Sequence, residues 1–283
     1  MEPFVKRNKK GQLKLFYIDS WQKLYPQLKI GFTSRSGGRS SVPFHSLNLG
    51  LHVEDDAENV IINREQLANT VGIPIESWIY AEQVHGNEVE CIALSDRGKG
   101  IRSRDLAIQA KDALITQDTD ICIALLFADC VPLYFYDPEH QVIGLAHAGW
   151  KGTVQEIASA TVAKMQQHFG SMPCEIIAAI GPSIGMCCFE VDEVVMNKVW
   201  ELVGRNKLGK DGDKLLFLVK GNGKYMLNLQ ELNRQIMIKA GILPSHIEVS
   251  DYCTSCRTDL FYSYRKENGK TGRMVAWIGL TEG

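Results

Sequence analysis

Apolar positions along the chain fall into two rhythms. In the segment TVQEIASATVAKMQQHF (residues 153–169), Val154, Ile157, Ala158, Thr161, Val162, Met165 and Phe169 recur at helical spacing on one face. Thr153 and Glu156 have the spacing of a capping box, which starts that helix at its first residue. Residues 227–242 repeat the pattern with Leu229, Leu232, Ile236, Met237 and Ala240, opened by Asn228 and Glu231 and stopped by Gly241. Residues 57–73 do so with Val60, Leu67 and Val71, and Gly72 ends them. The second rhythm is a set of short β-branched and aromatic runs between turn residues, at 13–18, 29–33, 78–81, 121–127, 133–136, 142–146, 176–180 and 275–278. YDPEHQ reads as a hairpin turn between the fifth and sixth of these. Strands outnumber helices and hairpins mix with crossovers. The pattern therefore predicts an α+β (mixed α/β) fold, a mixed β-sheet with flanking helices in a single domain over residues 1–283.

Composition narrows the function. At 283 residues and 45% hydrophobic content the chain can bury a sizeable core. Its 31 basic and 33 acidic residues leave no cationic surplus for a nucleic-acid backbone. No run approaches the ~20 apolar residues of a membrane span, and MEPFVKRNKKGQ lacks the apolar stretch of a secretory signal. A cytoplasmic protein with reduced thiols is expected, its eight cysteines free for packing, metal or catalysis.

Three polar side chains stand where the apolar runs stop. Cys130, beside Asp129, ends ICIALLFADC before Pro132; His147 ends VIGLAHAGW beside Gly149; His85 follows WIYA and precedes the turn residues Gly86 and Asn87. If residues 133–136 and 142–146 pair through the Asp137-Pro138 turn, Cys130 and His147 both lie beyond the open end of one hairpin. Each alone reads equally well as a satisfied core residue. Together, at three strand ends beside glycines or a proline, they weaken that reading in favour of a nucleophile with its base or the ligands of one metal, although spacings of 45 and 17 residues form no short metal-ligand motif.

The blocks EQVHG, DALITQ, FADCVPLYFYDP, GLAHAGWKGT, AAIGPSIG…CFEV and DYCTSCRTDLFYSYR…TGRMVAWIGL resemble the laccase-domain family, also called multicopper polyphenol oxidase or YfiH-like, from about Thr33 to Leu280. The bacterial members of that family include YlmD-type purine nucleoside phosphorylases. The resemblance implies one metal ion, usually zinc, with copper as the alternative, held by His85, Cys130 and His147, which are also the catalytic residues. It further implies cleavage of adenosine, inosine or methylthioadenosine by phosphate to free base and ribose 1-phosphate, with adenosine deamination as a side activity. Two imidazoles and a thiolate are a three-ligand set that leaves zinc an open fourth position. Asp129 is a candidate partner behind the ligands.

Phosphorolysis needs an anion cradle. TSRSGGRS offers Arg35 and Ser36, and Asn48 and Lys151 are further candidates for phosphate or substrate. IGPSIGMCCFEVDE, another glycine-rich connection, reads as a wall of the site. The H-x-E…C-x-x-C signature of zinc deaminases is absent, so deamination would need another geometry. A full laccase centre is excluded by seven histidines without a His-x-His pair, although a single copper ion is compatible with the ligand set. The competing reading is a Cys130–His147 hydrolase acting on an amide in peptidoglycan precursor editing. The C-x-x-C pair Cys253 and Cys256 is compatible with a redox dithiol or with half of a structural zinc site, which only Cys187-Cys188 could complete; without a thioredoxin-like context around it, the pair reads first as ordinary packing residues with no catalytic role.

Overall fold

The computed structural model describes residues 1–7, 13–209 and 215–281, so residues 8–12 of the charged amino-terminal stretch lie outside the described residues. Two six-stranded sheets face each other. In the first, the strands Phe4–Arg7, Leu15–Ile18, Leu28–Thr33, Met274–Leu280, Ile121–Phe127 and Trp78–Tyr80 lie in that spatial order. In the second the order is Ile247–Val249, Ile177–Ile180, Val131–Asp137, Val142–Ala148, Ala113–Thr116 and Val89–Cys91. Both are mixed: Trp78–Tyr80 runs parallel to Ile121–Phe127, whereas Met274–Leu280 runs antiparallel to it.

The apolar runs are continuous because both faces of the central strands are covered. Ile121, Ile123, Leu125 and Phe127 point between the sheets and meet Tyr134, Tyr136, Ile143 and Leu145 of the other sheet. Their alternates Cys122, Ala124 and Leu126 pack outward with Leu67 and Ala68 of the helix Ala57–Val71. On the far side, Leu133 and Phe135 pack against the helices Ile157–Phe169, Glu193–Asn206 and Leu229–Lys239. A two-sheet core thus sits between two helical layers.

The caps explain one helix start and one helix stop and correct another start. Asn228 accepts from Glu231 N–H at 3.1 Å, and Gly72, at φ 81, closes the helix Ala57–Val71 in the left-handed conformation. The expected Thr153–Glu156 capping box does not form. Gly149 leads instead into a short helix, Trp150–Val154, and Glu156 breaks it at φ 61 before Ile157–Phe169 begins. Thr153 is unavailable as a cap because it is fully buried and its hydroxyl accepts from Asn233 at 2.9 Å. Among the described residues no helix is long and apolar enough to cross a membrane.

Candidate metal centre

Three separate pieces of chain deliver His85, Cys130 and His147 to one point. The antiparallel hairpin Val131–Asp137/Val142–Ala148 pairs Pro132 with His147, so Cys130 and His147 stand at its open end as its pattern predicts. Between Ile121–Phe127 and that hairpin the chain must turn in three residues. Asp129 makes the turn at φ 85, a left-handed conformation costly for a residue with a Cβ. Its carboxylate is tied down by Thr254 Oγ1 at 2.6 Å, Ser263 Oγ at 3.0 Å and Arg265 N–H at 2.7 Å, and its carbonyl accepts from Ile184 N–H. Burial nevertheless outweighs these bonds and raises its carboxyl above the ordinary value. Asp129 therefore shapes the turn that aims Cys130, and does not back a histidine.

The carboxylate behind the histidines is Asp112, which had no role in the sequence argument. It is completely buried at the start of the strand Ala113–Thr116. One oxygen binds His147 Nδ1 at 2.8 Å and accepts His85 N–H at 3.0 Å; the other accepts Val84 N–H at 3.1 Å and Gly86 N–H at 2.7 Å. Three successive amides wrapped around one anion explain why His85 tolerates φ 61. Gln83 completes the placement, its amide both donating to and accepting from the Leu126 backbone at 2.8 Å, as an extra strand residue would. With Nδ1 committed to Asp112, His147 has Nε2 left for a ligand.

One ligand atom from each of the three residues lies within 4.8 Å of the others, a set that could hold a metal ion. The two imidazoles meet edge to face, with centroids 4.7 Å apart. Gly149 lets them converge, since a Cβ there would fall 3.0 Å from His85 Cδ2 and 3.1 Å from Cys130 Sγ. Burial opposes ionisation of Cys130, but the charge of His147 and hydrogen bonds from both histidines outweigh it and pull the thiol down to about 6. Burial likewise depresses His147, yet the facing thiolate and the Asp112 bond bring it up to about 9. For Asp112, burial acts upward, and His147 together with the loop amides holds it below its ordinary value. The thiolate a metal requires is thus already formed at neutral pH.

The three residues line a cavity of about 580 Å³, of the size that takes small organic ligands. Its lining includes the cations Arg64, Arg104, Lys151, Arg265 and Arg273 together with His52. Arg64 is spent on structure: buried, stacked 3.8 Å over Tyr80, it donates to the carbonyls of Leu49, Gly100 and Ile101. Arg104 pairs with Glu82 at 2.8 Å. Lys151 lines the cavity from the short helix. The other expected anion contacts are placed elsewhere. Arg35 pairs with Glu267 at 2.9 Å, lies over Tyr262 and donates to the Thr258 carbonyl, while Ser36 belongs to a turn closed by Ser34. Neither is among the described residues lining the cavity. Asn48, also outside the lining, is fully buried; its oxygen accepts Arg273 N–H at 2.9 Å, so it positions an arginine that does line it. The 181–189 connection supplies the wall residues Ile184 and Phe189, and the next helix is capped by its own Asp192.

A mixed two-sheet fold that brings two imidazoles and a thiolate to the mouth of one hairpin defines a class, and the comparison with known proteins agrees. The chain belongs to the family described as multi-copper polyphenol oxidoreductase laccase, which it matches over residues 29–281. It is 43% identical over 252 residues to the Bacillus subtilis protein named purine nucleoside phosphorylase YlmD, covering 89% of this chain and 88% of that one. A Staphylococcus epidermidis purine nucleoside phosphorylase is 33% identical over 267 residues, 94% of this chain and 97% of the relative. The crystal structure of YlmD from Geobacillus stearothermophilus superposes with a TM-score of 0.92 at 39% identity, over all of both chains. That of the Bacillus licheniformis protein YfiH gives 0.89 at 43% identity, over 97% of this chain and 98% of that one.

Proposed function

We propose that this protein is a zinc-dependent purine nucleoside phosphorylase that cleaves adenosine and inosine with phosphate, releasing the free base and ribose 1-phosphate. The observation that carries the reading is a three-donor centre on the wall of a cavity whose lining also includes Arg104, Lys151, Arg265 and Arg273. Two imidazoles, once His147 has given up its proton, and one thiolate suit zinc and would leave it a coordination position for substrate. When bound, zinc would act as a Lewis acid toward an oxygen of the substrate or phosphate.

The chain's own groups divide the remaining work. Arg273, Arg104 and Lys151 attract and orient phosphate, and Leu126, Ile184, Phe189 and Leu229 give the base an apolar wall that keeps water from the ribose. A phosphate oxygen bonds to the ribose C1′ as the C1′–N9 bond breaks. The electron pair of that bond leaves on the base, which takes up the proton that phosphate gives up.

A second reading rests on the thiolate–imidazolium pair of Cys130 and His147, the ground state of a cysteine nucleophile. One experiment separates the two. Metal content is measured together with the products from inosine, with and without phosphate, for the wild type and for Cys130→Ala. The phosphorylase reading expects ribose 1-phosphate only when phosphate is present, and loss of both turnover and the metal at this centre in the variant. It also expects iodoacetamide to modify Cys130 slowly until a chelator is added. Rapid alkylation of the metal-loaded protein, with hydrolysis of an amide and no phosphorolysis, would favour the hydrolase.

A further inference from the structure

Among the described residues, a second group of side chains converges as tightly as the first. Cys187 and Cys188, in the connection after the strand Ile177–Ile180, face Cys253 and Cys256, in the loop before the final strand. All four Sγ atoms lie within 4.8 Å of one another, with Cys187 and Cys188 at 3.5 and 3.4 Å from Cys256. These separations are far beyond the ~2.05 Å of a disulfide, and all four cysteines are free. They approach the edge of a tetrahedron of sulfurs about 2.3 Å from a central ion, which is about 3.8 Å.

We propose that Cys187, Cys188, Cys253 and Cys256 form a structural zinc site, separate from the His85–Cys130–His147 centre and closed to substrate. The backbone is built to bring the two loops together. Ser183 O accepts Thr254 N–H at 3.0 Å, and Gly185 N–H donates to Cys253 Sγ at 3.2 Å. A Cβ at Gly185 would lie 3.3 Å from Cys187 Sγ and 3.3 Å from Cys253 Cβ, so a glycine keeps room for the four sulfurs. A mononuclear ion fits where a polynuclear cluster does not, because the sulfurs meet around a single point. Four thiolates select zinc over the harder divalent cations and leave no coordination position for a ligand.

The site would act on the reaction only at a distance. The two loops it ties together hold the Asp129 turn, one through Ile184 N–H and the other through the Thr254 hydroxyl, and Ile184 and Phe189 line the cavity. Zinc here would fasten the wall and the turn that presents Cys130.

The test keeps this site apart from the first. In Cys130→Ala, one zinc per chain should remain and should resist a mild chelator. In Cys187→Ser/Cys256→Ser, which alters only the two exposed cysteines, one equivalent fewer than wild type should be found. Amide exchange in Cys130→Ala should quicken at 183–189 and 252–257 when a mercurial strips the remaining metal. A metal-free Cys130→Ala protein overturns the proposal, and so does a wild-type mass showing the four cysteines joined as disulfides. Iron in place of zinc overturns the choice of ion. Because Cys130→Ala already lacks the first centre, none of these results depends on what that centre does.

Discussion

Replacing Asp112 with asparagine tests the claim that one carboxylate organises both histidines. The side chain keeps its shape and loses one acceptor oxygen, and each oxygen serves two donors. If the new NH2 group replaces the oxygen facing Val84 and Gly86, two part-buried amides lose their acceptor at about 0.5–1.5 kcal/mol each, together about 1–3 kcal/mol. If it replaces the oxygen facing His85 and His147, one amide is orphaned. His147 must then accept at Nδ1, which moves its proton to Nε2, the nitrogen needed for the metal. Either orientation damages the centre. At about 2 °C per kcal/mol for a chain of this size, the melting temperature should fall by about 2–6 °C. Zinc affinity, measured against a competing chelator, should drop about 10–100-fold, the usual cost of losing a carboxylate behind a ligating histidine. A variant that melts within a degree of wild type and binds zinc equally well would refute the reasoning.

Gly149→Ala should leave the fold intact, since φ is −68 there, but its Cβ would press on His85 and Cys130; expect weak metal binding with a native circular dichroism spectrum, and metal retained at wild-type affinity would contradict the close-approach argument. Arg273→Ala should raise the phosphate KM about tenfold or more, the loss of one charge-assisted contact, with a smaller change in the nucleoside KM. Equal effects on both would remove Arg273 from the phosphate site. The surrounding protein and the charges of Arg273, Arg104 and Arg64 push His52 down to about 4. An unfolded chain would take up a proton near pH 6.5 that the folded one refuses, so this group removes stability as pH falls from 6.5 to 4; the solvent exposure of the residue keeps the slope well below ~1.4 kcal/mol per pH unit. Phosphate bound beside these arginines should raise the His52 midpoint in an NMR titration, and an unmoved midpoint would place the anion elsewhere.

How much of this was legible in the chain follows from what each residue does. Continuous runs such as 121–127 announced strands, and Cys130 with Asp129, like His147, betrayed itself by standing where such a run stops. The hairpin between them was fixed by Asp137-Pro138 and by strand length, so their meeting could be foreseen. His85 was harder, because what aims it is a Gln83 side chain mimicking a strand and three amides folded around Asp112, both long-range arrangements. Asp112 did carry a signal, a carboxylate directly before the wholly apolar ALI. The Arg35 reading went by local composition alone: glycines and an arginine after a strand look alike whether the guanidinium finds a phosphate or, as here, Glu267 and a loop carbonyl more than 200 positions away. Asn48 and Arg273 show the same limit from the other side, since neither has a local pattern and the hydrogen bond joining them spans 225 positions. Ligands that end apolar runs can therefore be read from sequence. The groups that orient them become visible only when distant backbone amides are seen to need an acceptor.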